Sequence, residues 1–284
     1  MAAASTLERE RPHTASREPV QRGLPGVSAM VPAAVMVLFL VLPLAGLLIR
    51  AGGAASLSGI LSKPIVLDAM RLSLISTTMV LAVTLVFGSP LALVLARRGG
   101  PLIGALETLV DLPIVLPPAV AGLALLLTFG RRGVFGIPLQ AIGIELPFTT
   151  AAVILAGLFV AAPFYIRAAR SGFLGVPREI EDAARVEGAS NWQLFRLVTA
   201  PLAAPALLGG AVLCWARALG EFGATIMFAG SFQGRTQTMP LAIYAGLESD
   251  TDAAIGLSVL LLAVSFVLLV VFRRWLRAAN ERSF

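Results

Sequence analysis

Arg217 and Glu221 stand four residues apart within a long apolar run, Ala203–Phe228. On a helix that spacing puts both side chains on one face, where guanidinium and carboxylate can pair. An ionised group at membrane depth costs about 2.5 kcal/mol or more, so such residues rarely stand there idle. Two readings stay open. In one, the pair is a gate: Arg217 offers positive charge to a passing anion, and Glu221 neutralises it so that the ion is not trapped. In the plainer one, it is an architectural ion pair that holds helices together. Gly220, Phe222 and Gly223 flank Glu221 and belong to the same candidate region. The glycines allow another helix or loop to come close; a relaxed, hinge-like helix is the alternative, and close packing is preferred.

A second group of residues suits docking rather than passage. Glu181-Asp182-Ala183-Ala184-Arg185-Val186-Glu187-Gly188-Ala189-Ser190 is a polar interlude between apolar runs. Pro177 fits a helix start, and Glu179, Glu181 and Asp182 place negative charge at the positive end of the helix dipole. Gly188 fits the left-handed residue that closes a helix. Ser190 and Gln193 have the spacing of a capping box for a second helix, with Pro201 marking the start of the next span. Ile180, Ala183, Ala184 and Glu187 fall at the i, i+3, i+4, i+7 spacing of one face. Adjacent alanines on that face permit close approach by another surface. A rigid knob seated on a partner is the preferred reading; a solvated hairpin lying on the membrane is the other.

Other chemistry is poorly served. One cysteine, Cys214, and one histidine, His13, cannot form an internal disulfide or a Cys/His metal site. No G-x-x-x-x-G-K loop is present to cradle phosphates. No catalytic residue, metal or cofactor is expected on this chain, and an integral-membrane enzyme would need clustered acids, histidines or metal ligands.

The elements that must position these groups are membrane helices. The 284 residues are 57% hydrophobic and 13% charged, with a mean hydropathy of +0.88. A soluble domain carries about twice that charged share. Apolar windows near the bilayer-spanning length predict six spans: Ser28–Ile49, Leu72–Ala96, Leu112–Phe129, Phe148–Ile166, Ala203–Phe228 and Ala254–Phe272. The dyad alternation of a transmembrane barrel is missing from these runs. The expectation is an all-α polytopic membrane protein. Ser28–Ile49 is too long for a signal peptide's apolar region and ends at Arg50, so it reads as a retained span. Residues 1–27 read as a disordered polar tail, 28–276 as the membrane domain with its loop at about 171–200, and 277–284 as a short C-terminal tail.

Lys and Arg placement sets the orientation. With the N-terminus in the cytoplasm, fifteen of the 22 basic residues fall inside, six outside, and Arg217 within a span. Both termini are therefore expected in the cytoplasm, and the net charge of +6 needs no nucleic-acid partner. Arg131, Arg132 and Arg235 fall outside, where they could attract an anion or meet an acidic protein surface. Glu248, Asp250 and Asp252 share that side. Glu107 and Asp111 interrupt an interfacial elbow before the third span and are expected to face Arg97 and Arg98 or the cytoplasm.

The loop resembles the signature of ABC importer permease subunits: Glu-Ala-Ala, three residues, Gly, nine residues, Ile, one residue, Leu-Pro. Here those positions are Asp182-Ala183-Ala184, Gly188, Val198 and Ala200-Pro201. Asp182, Val198 and Ala200 depart from the pattern; the first two keep charge and shape, whereas Ala200 removes bulk. Ala218-Leu219-Gly220-Glu221-Phe222-Gly223-Ala224-Thr225 and Gly234–Pro240 are similar to molybdate permeases, with sulfate/thiosulfate permeases sharing the Gly-Glu-aromatic-Gly core, and Leu112–Pro118 resembles the wider oxyanion permease group. The resemblance covers roughly Leu72 to Trp275.

It implies a type I ABC importer permease bundle in a bacterial-type cytoplasmic membrane. It also implies a second permease copy as homodimer partner, two cytoplasmic ATPases carrying ATP and Mg, and an external oxyanion-binding protein. Ile180, Asp182, Ala183, Ala184 and Gly188 would couple to the ATPase. The substrate would be molybdate, with tungstate or sulfate/thiosulfate as the alternatives. A stand-alone secondary transporter would more often show internal repeats, and none is evident.

Overall fold

The computed structural model describes residues 27–52, 59 and 62–281, and all of its regular structure there is helical. Of the tail predicted at residues 1–27, residues 1–26 lie outside the described residues and Val27 begins the first helix. Two units are distinguished, which divide the described residues between Gly46 and Leu47. Helix α1 (Val27–Gly52) carries Pro32 and Pro43 in its interior, and its side chains from Met30 to Leu42 are exposed.

In the larger unit, prolines set the joints. Helix α2 (Pro64–Val83) runs through a π-helical turn, Thr84–Gly88, into α3 (Ser89–Arg97). Short α9 (Asn191–Leu194) runs through a second such turn, Phe195–Thr199, into α10 (Ala200–Leu219). Each π turn stops just short of a proline, Pro90 and Pro201. A proline lacks the N–H for the i→i−4 bond and its ring crowds the carbonyl one turn back. Widening the turn to i→i+5 bonding relieves both: the Ala200 N–H reaches the Phe195 carbonyl instead. Pro201 therefore does not start a span. The helix is continuous from Asn191 to Leu219, 29 residues.

Two expected spans are broken. In place of one helix over Leu112–Phe129, α4 (Pro101–Val115) and α5 (Pro118–Phe129) meet at 116°. Pro117 and Pro118 together force extended backbone on the residues before them, and Leu116 and Pro117 sit at ψ 134° and 136°. In place of one helix over Ala203–Phe228, α10 ends at Gly220 and α11 (Gly223–Ala229) begins afresh. Among the described residues, five helices are long and apolar enough to cross a membrane, and the α4–α5 pair makes a sixth if it counts as one span.

Helix α7 (Thr150–Leu174) is the centre of the packing. It buries Ala152, Ala156, Gly157, Ala161 and Ala169, small residues that let backbones approach where lipid supplies no hydrophobic drive. Against α10 the approach is tight. A Cβ on Gly210 would lie 2.8 Å from that of Ala168, and one on Gly172 would lie 2.6 Å from that of Ala206. Tyr165, Phe173, Leu95 and Cys214 form a core where α3, α7 and α10 meet. Phe228, Val153 and Leu125 form a second core between α5, α7 and α11. Val66, Met239 and Leu257 form a third, joining α2 to α12 (Met239–Ser249) and α13 (Thr251–Glu281). Helix α6 (Gly136–Ala141) is a short turn after α5, and α8 (Arg178–Val186) follows α7. Residues 277–281, expected as part of a tail, extend α13; 282–284 lie outside the described residues.

Candidate functional site: an exposed hairpin and a charged helix break

The hairpin is built as two capped helices. Pro177 is the residue before α8, and Gly188 closes the turn at φ +88°, a backbone region that only glycine enters without strain. Ser190 Oγ accepts from the Gln193 N–H at 3.3 Å, while Gln193 Oε1 accepts from the Ser190 N–H at 2.9 Å. Ile180, Asp182, Ala183 and Glu187 are exposed, and Ala184 is half-buried. Val186 is 88% exposed and Trp192 66%. Together with Ile180 they put apolar surface on an otherwise charged hairpin, which suits a protein partner better than water.

The opposite face of α8 was not foreseen. Its one buried residue is Glu181, at 4% exposure. The carboxylate pairs with Arg97 at the end of α3 and accepts a 2.6 Å hydrogen bond from Thr199 Oγ1 at the end of the second π turn. In sequence, Glu181 is one acid among several at a helix start. Its partners lie 84 and 18 residues away, and no local spacing encodes that.

Glu107 and Asp111 also find unexpected partners. Rather than Arg97 and Arg98, they face α7: Glu107 to Arg170 at 2.6 Å and Asp111 to Arg167 at 3.6 Å. Their four-residue spacing on α4 matches the three-residue spacing on α7, so the two pairs form rungs between the helices.

At the other end of the Asn191–Leu219 helix, about 40 Å away at 1.5 Å per residue, lie the charges of the apolar run. Arg217 Nη1 sits 3.0 Å from Glu221 Oε2, with Glu221 only 3% exposed. Glu221 Oε1 accepts from the Ala224 N–H at 2.8 Å, so the same carboxylate caps the start of α11. Gly220 is exposed and ends α10, and a Cβ there would make only an ordinary 3.8 Å contact with the Ala216 carbonyl. Gly223 abuts α5: a Cβ there would lie 2.5 Å from that of Pro118. The two helix breaks, at Leu116–Pro117 and at Gly220–Phe222, are thereby locked side by side. Phe222 packs on Tyr244 of α12, ring centres 5.3 Å apart.

Beside Glu221 is a small cavity lined by Ser73, Ser76, Thr77, Thr225 and Thr238. At about 10 Å³ it has room for one water molecule, far short of a tetrahedral oxyanion. The Gly234–Pro240 stretch serves as an internal anchor. Thr236, Gln237 and Thr238 are buried, Thr236 Oγ1 accepts from the Phe232 N–H, and the Met239 N–H donates to Ser73 Oγ at 2.7 Å. Arg131, Arg132 and Arg235 are exposed, and Arg131 pairs with Glu145 at 3.2 Å. Lys63 holds Asp250 at the turn between α12 and α13. That hydrogen bond, then one from the Ala253 N–H, keeps the Asp250 carboxyl below its ordinary range. No group of three or more metal-binding side chains occurs among the described residues.

The chain is similar to known transport proteins. It is 40% identical over 235 residues to the molybdenum transport system permease protein ModB of Mycobacterium tuberculosis, covering 83% of this chain and 89% of that one. ModB of Escherichia coli is 36% identical over 219 residues, covering 76% and 96%. The molybdate/tungstate transport system permease protein WtpB of Thermococcus kodakarensis is 34% identical over 242 residues, covering 85% and 91%. In fold it matches a chain of a bacterial ABC transporter involved in alginate import, with TM-score 0.68, 17% identity, and 88% and 94% coverage. A chain of the MetNI methionine ABC transporter matches with TM-score 0.54, 20% identity, and 84% and 98% coverage. The family model for binding-protein-dependent transport system inner membrane components matches residues 88–284, and with these relatives it shows that the chain belongs to that family of multi-pass permeases.

Proposed function

We propose that this chain is the permease subunit of an ATP-driven molybdate importer. It would form half of the passage, with a second copy forming the rest, and take substrate from an external binding protein. The observation that carries the docking part is the hairpin, capped at both helices, exposing Ile180, Val186 and Trp192 while a buried carboxylate ties its back to the bundle. A partner ATPase, carrying ATP and Mg, would seat on that exposed face through Ile180, Asp182, Ala183 and Ala184, with Gly188 fixing the turn. ATP-driven closure would then bias the bundle between two states, since a ligand shifts an equilibrium only through contacts that differ between them.

The hairpin end, where Arg97, Arg98, Arg178, Arg185 and Arg196 gather, is assigned to the cytoplasm by the positive-inside rule, with both termini on that side. Molybdate as substrate is supported by the names of the relatives at 34–40% identity. Tungstate is the second reading, favoured by the similarity to WtpB. The cavity beside Glu221 is too small for either ion, so that cavity is not proposed to hold it.

Docking is tested by co-purifying the candidate ATPase with this chain in detergent. Ile180→Asp with Val186→Asp changes only exposed side chains and is expected to reduce the recovered ATPase about tenfold or more. Full recovery with that pair would refute the docking face.

A further inference from the structure

We infer that Glu181 is the internal strut that carries hairpin movement into the bundle. The inference rests on the reading of the hairpin as the ATPase seat. Helix α8 has nine residues and buries one, and that one is a carboxylate. A helix held only by apolar packing can slip on its neighbours. One held by a buried, charge-assisted pair is fixed in register, because separating the partners leaves a charge uncompensated.

The two partners of Glu181 are placed where displacement matters. Arg97 is the last residue of α3, and Thr199 the last of the π turn that leads into α10. Both helices are entered through a π turn, Thr84–Gly88 before α3 and Phe195–Thr199 before α10, where i→i−4 bonding is already interrupted. Such turns are the natural places for a helix to bend. A push on α8 is therefore delivered through one side chain to the ends of two jointed segments, and α10 continues from there to Arg217.

Glu181 faces away from the proposed ATPase surface, so its role is positioning and separable from docking. The test uses the full chain with its ATPase and binding protein in vesicles, reading molybdate transported per ATP hydrolysed. Glu181→Ala is expected to lower that ratio about tenfold with the same amount of ATPase bound. Glu181→Gln, whose amide oxygen still accepts from Arg97 and Thr199, is expected to restore most of it. If Glu181→Ala fails to accumulate, Thr199→Val decides, since it removes one leg without stranding a charge; a ratio about threefold lower is expected. An unchanged ratio in Glu181→Ala or Thr199→Val overturns the strut, as does a Glu181→Gln variant no better than Glu181→Ala. Those results are distinct from a wild-type chain that binds no ATPase or transports without ATP, which would remove the docking reading beneath it.

Discussion

At the residue scale, buried charge is the informative quantity. Glu221 was legible from sequence as the partner of Arg217, because four-residue spacing in an apolar run leaves few other geometries. Its second role, capping α11 through the Ala224 N–H, was not, because the helix break that creates the free N–H comes from tertiary packing. Arg217→Met alone would leave Glu221 buried and unpaired, and should destabilise the protein by about 3 kcal/mol, read as thermal unfolding in detergent. Arg217→Met with Glu221→Gln keeps an acceptor for Ala224 and should regain most of that loss. Normal transport by the double variant would mark the pair as a brace, and a stable double variant without transport would mark it as a gate. A single variant as stable as wild type would contradict the pairing. Asp250 offers a pH signature. Its lowered folded pKa means that the Lys63 contact adds stability above the ordinary carboxylate range, and that this is lost as pH falls through the folded value. The melting-temperature gap between wild type and Lys63→Met should be small at neutral pH, as the pair is half-exposed, and should close as pH falls below the ordinary aspartate range. A gap that widens in acid would exclude this account.

At the element scale, the hairpin was readable almost to the residue. Caps are local chemistry, and Ser190, Gln193 and Gly188 behave as their types dictate. The six spans read from hydropathy correspond, among the described residues, to five long helices and one bent pair, and their continuity was not legible. Hydropathy does not register backbone bonding, so the 116° bend at Pro117–Pro118 and the end of α10 at Gly220 pass unseen through an apolar window. Pro201 suggested a helix start, yet the chain absorbs it with a π turn. Small residues at the α5–α11 contact make a sharp test. A Cβ on Gly122 would lie 2.6 Å from Met227 Cβ and 2.8 Å from the Ala224 carbonyl, so Gly122→Ala should cost about 1–3 kcal/mol. Gly104, with open space around it on α4, should gain about 0.5–1 kcal/mol as alanine. Equal melting temperatures for the two variants would refute the tight α5–α11 contact.

At the scale of the whole molecule, the 29-residue helix Asn191–Leu219 joins two differently built ends of the larger unit. One end presents an exposed hairpin anchored by Glu181, and the other holds a paired Arg217 and Glu221 at two helix breaks. The distance between them, about 40 Å, is a reason to expect that energy enters at one end and passage is controlled at the other. The central claim is that uptake by this chain is driven by a separate ATPase and favours molybdate. Labelled molybdate uptake should be measured in vesicles holding the chain, its ATPase and its binding protein, with ATP inside or outside and sulfate as competitor. The account predicts accumulation that requires both ATPase and ATP and persists in excess sulfate. Uptake that continues without the ATPase would contradict it.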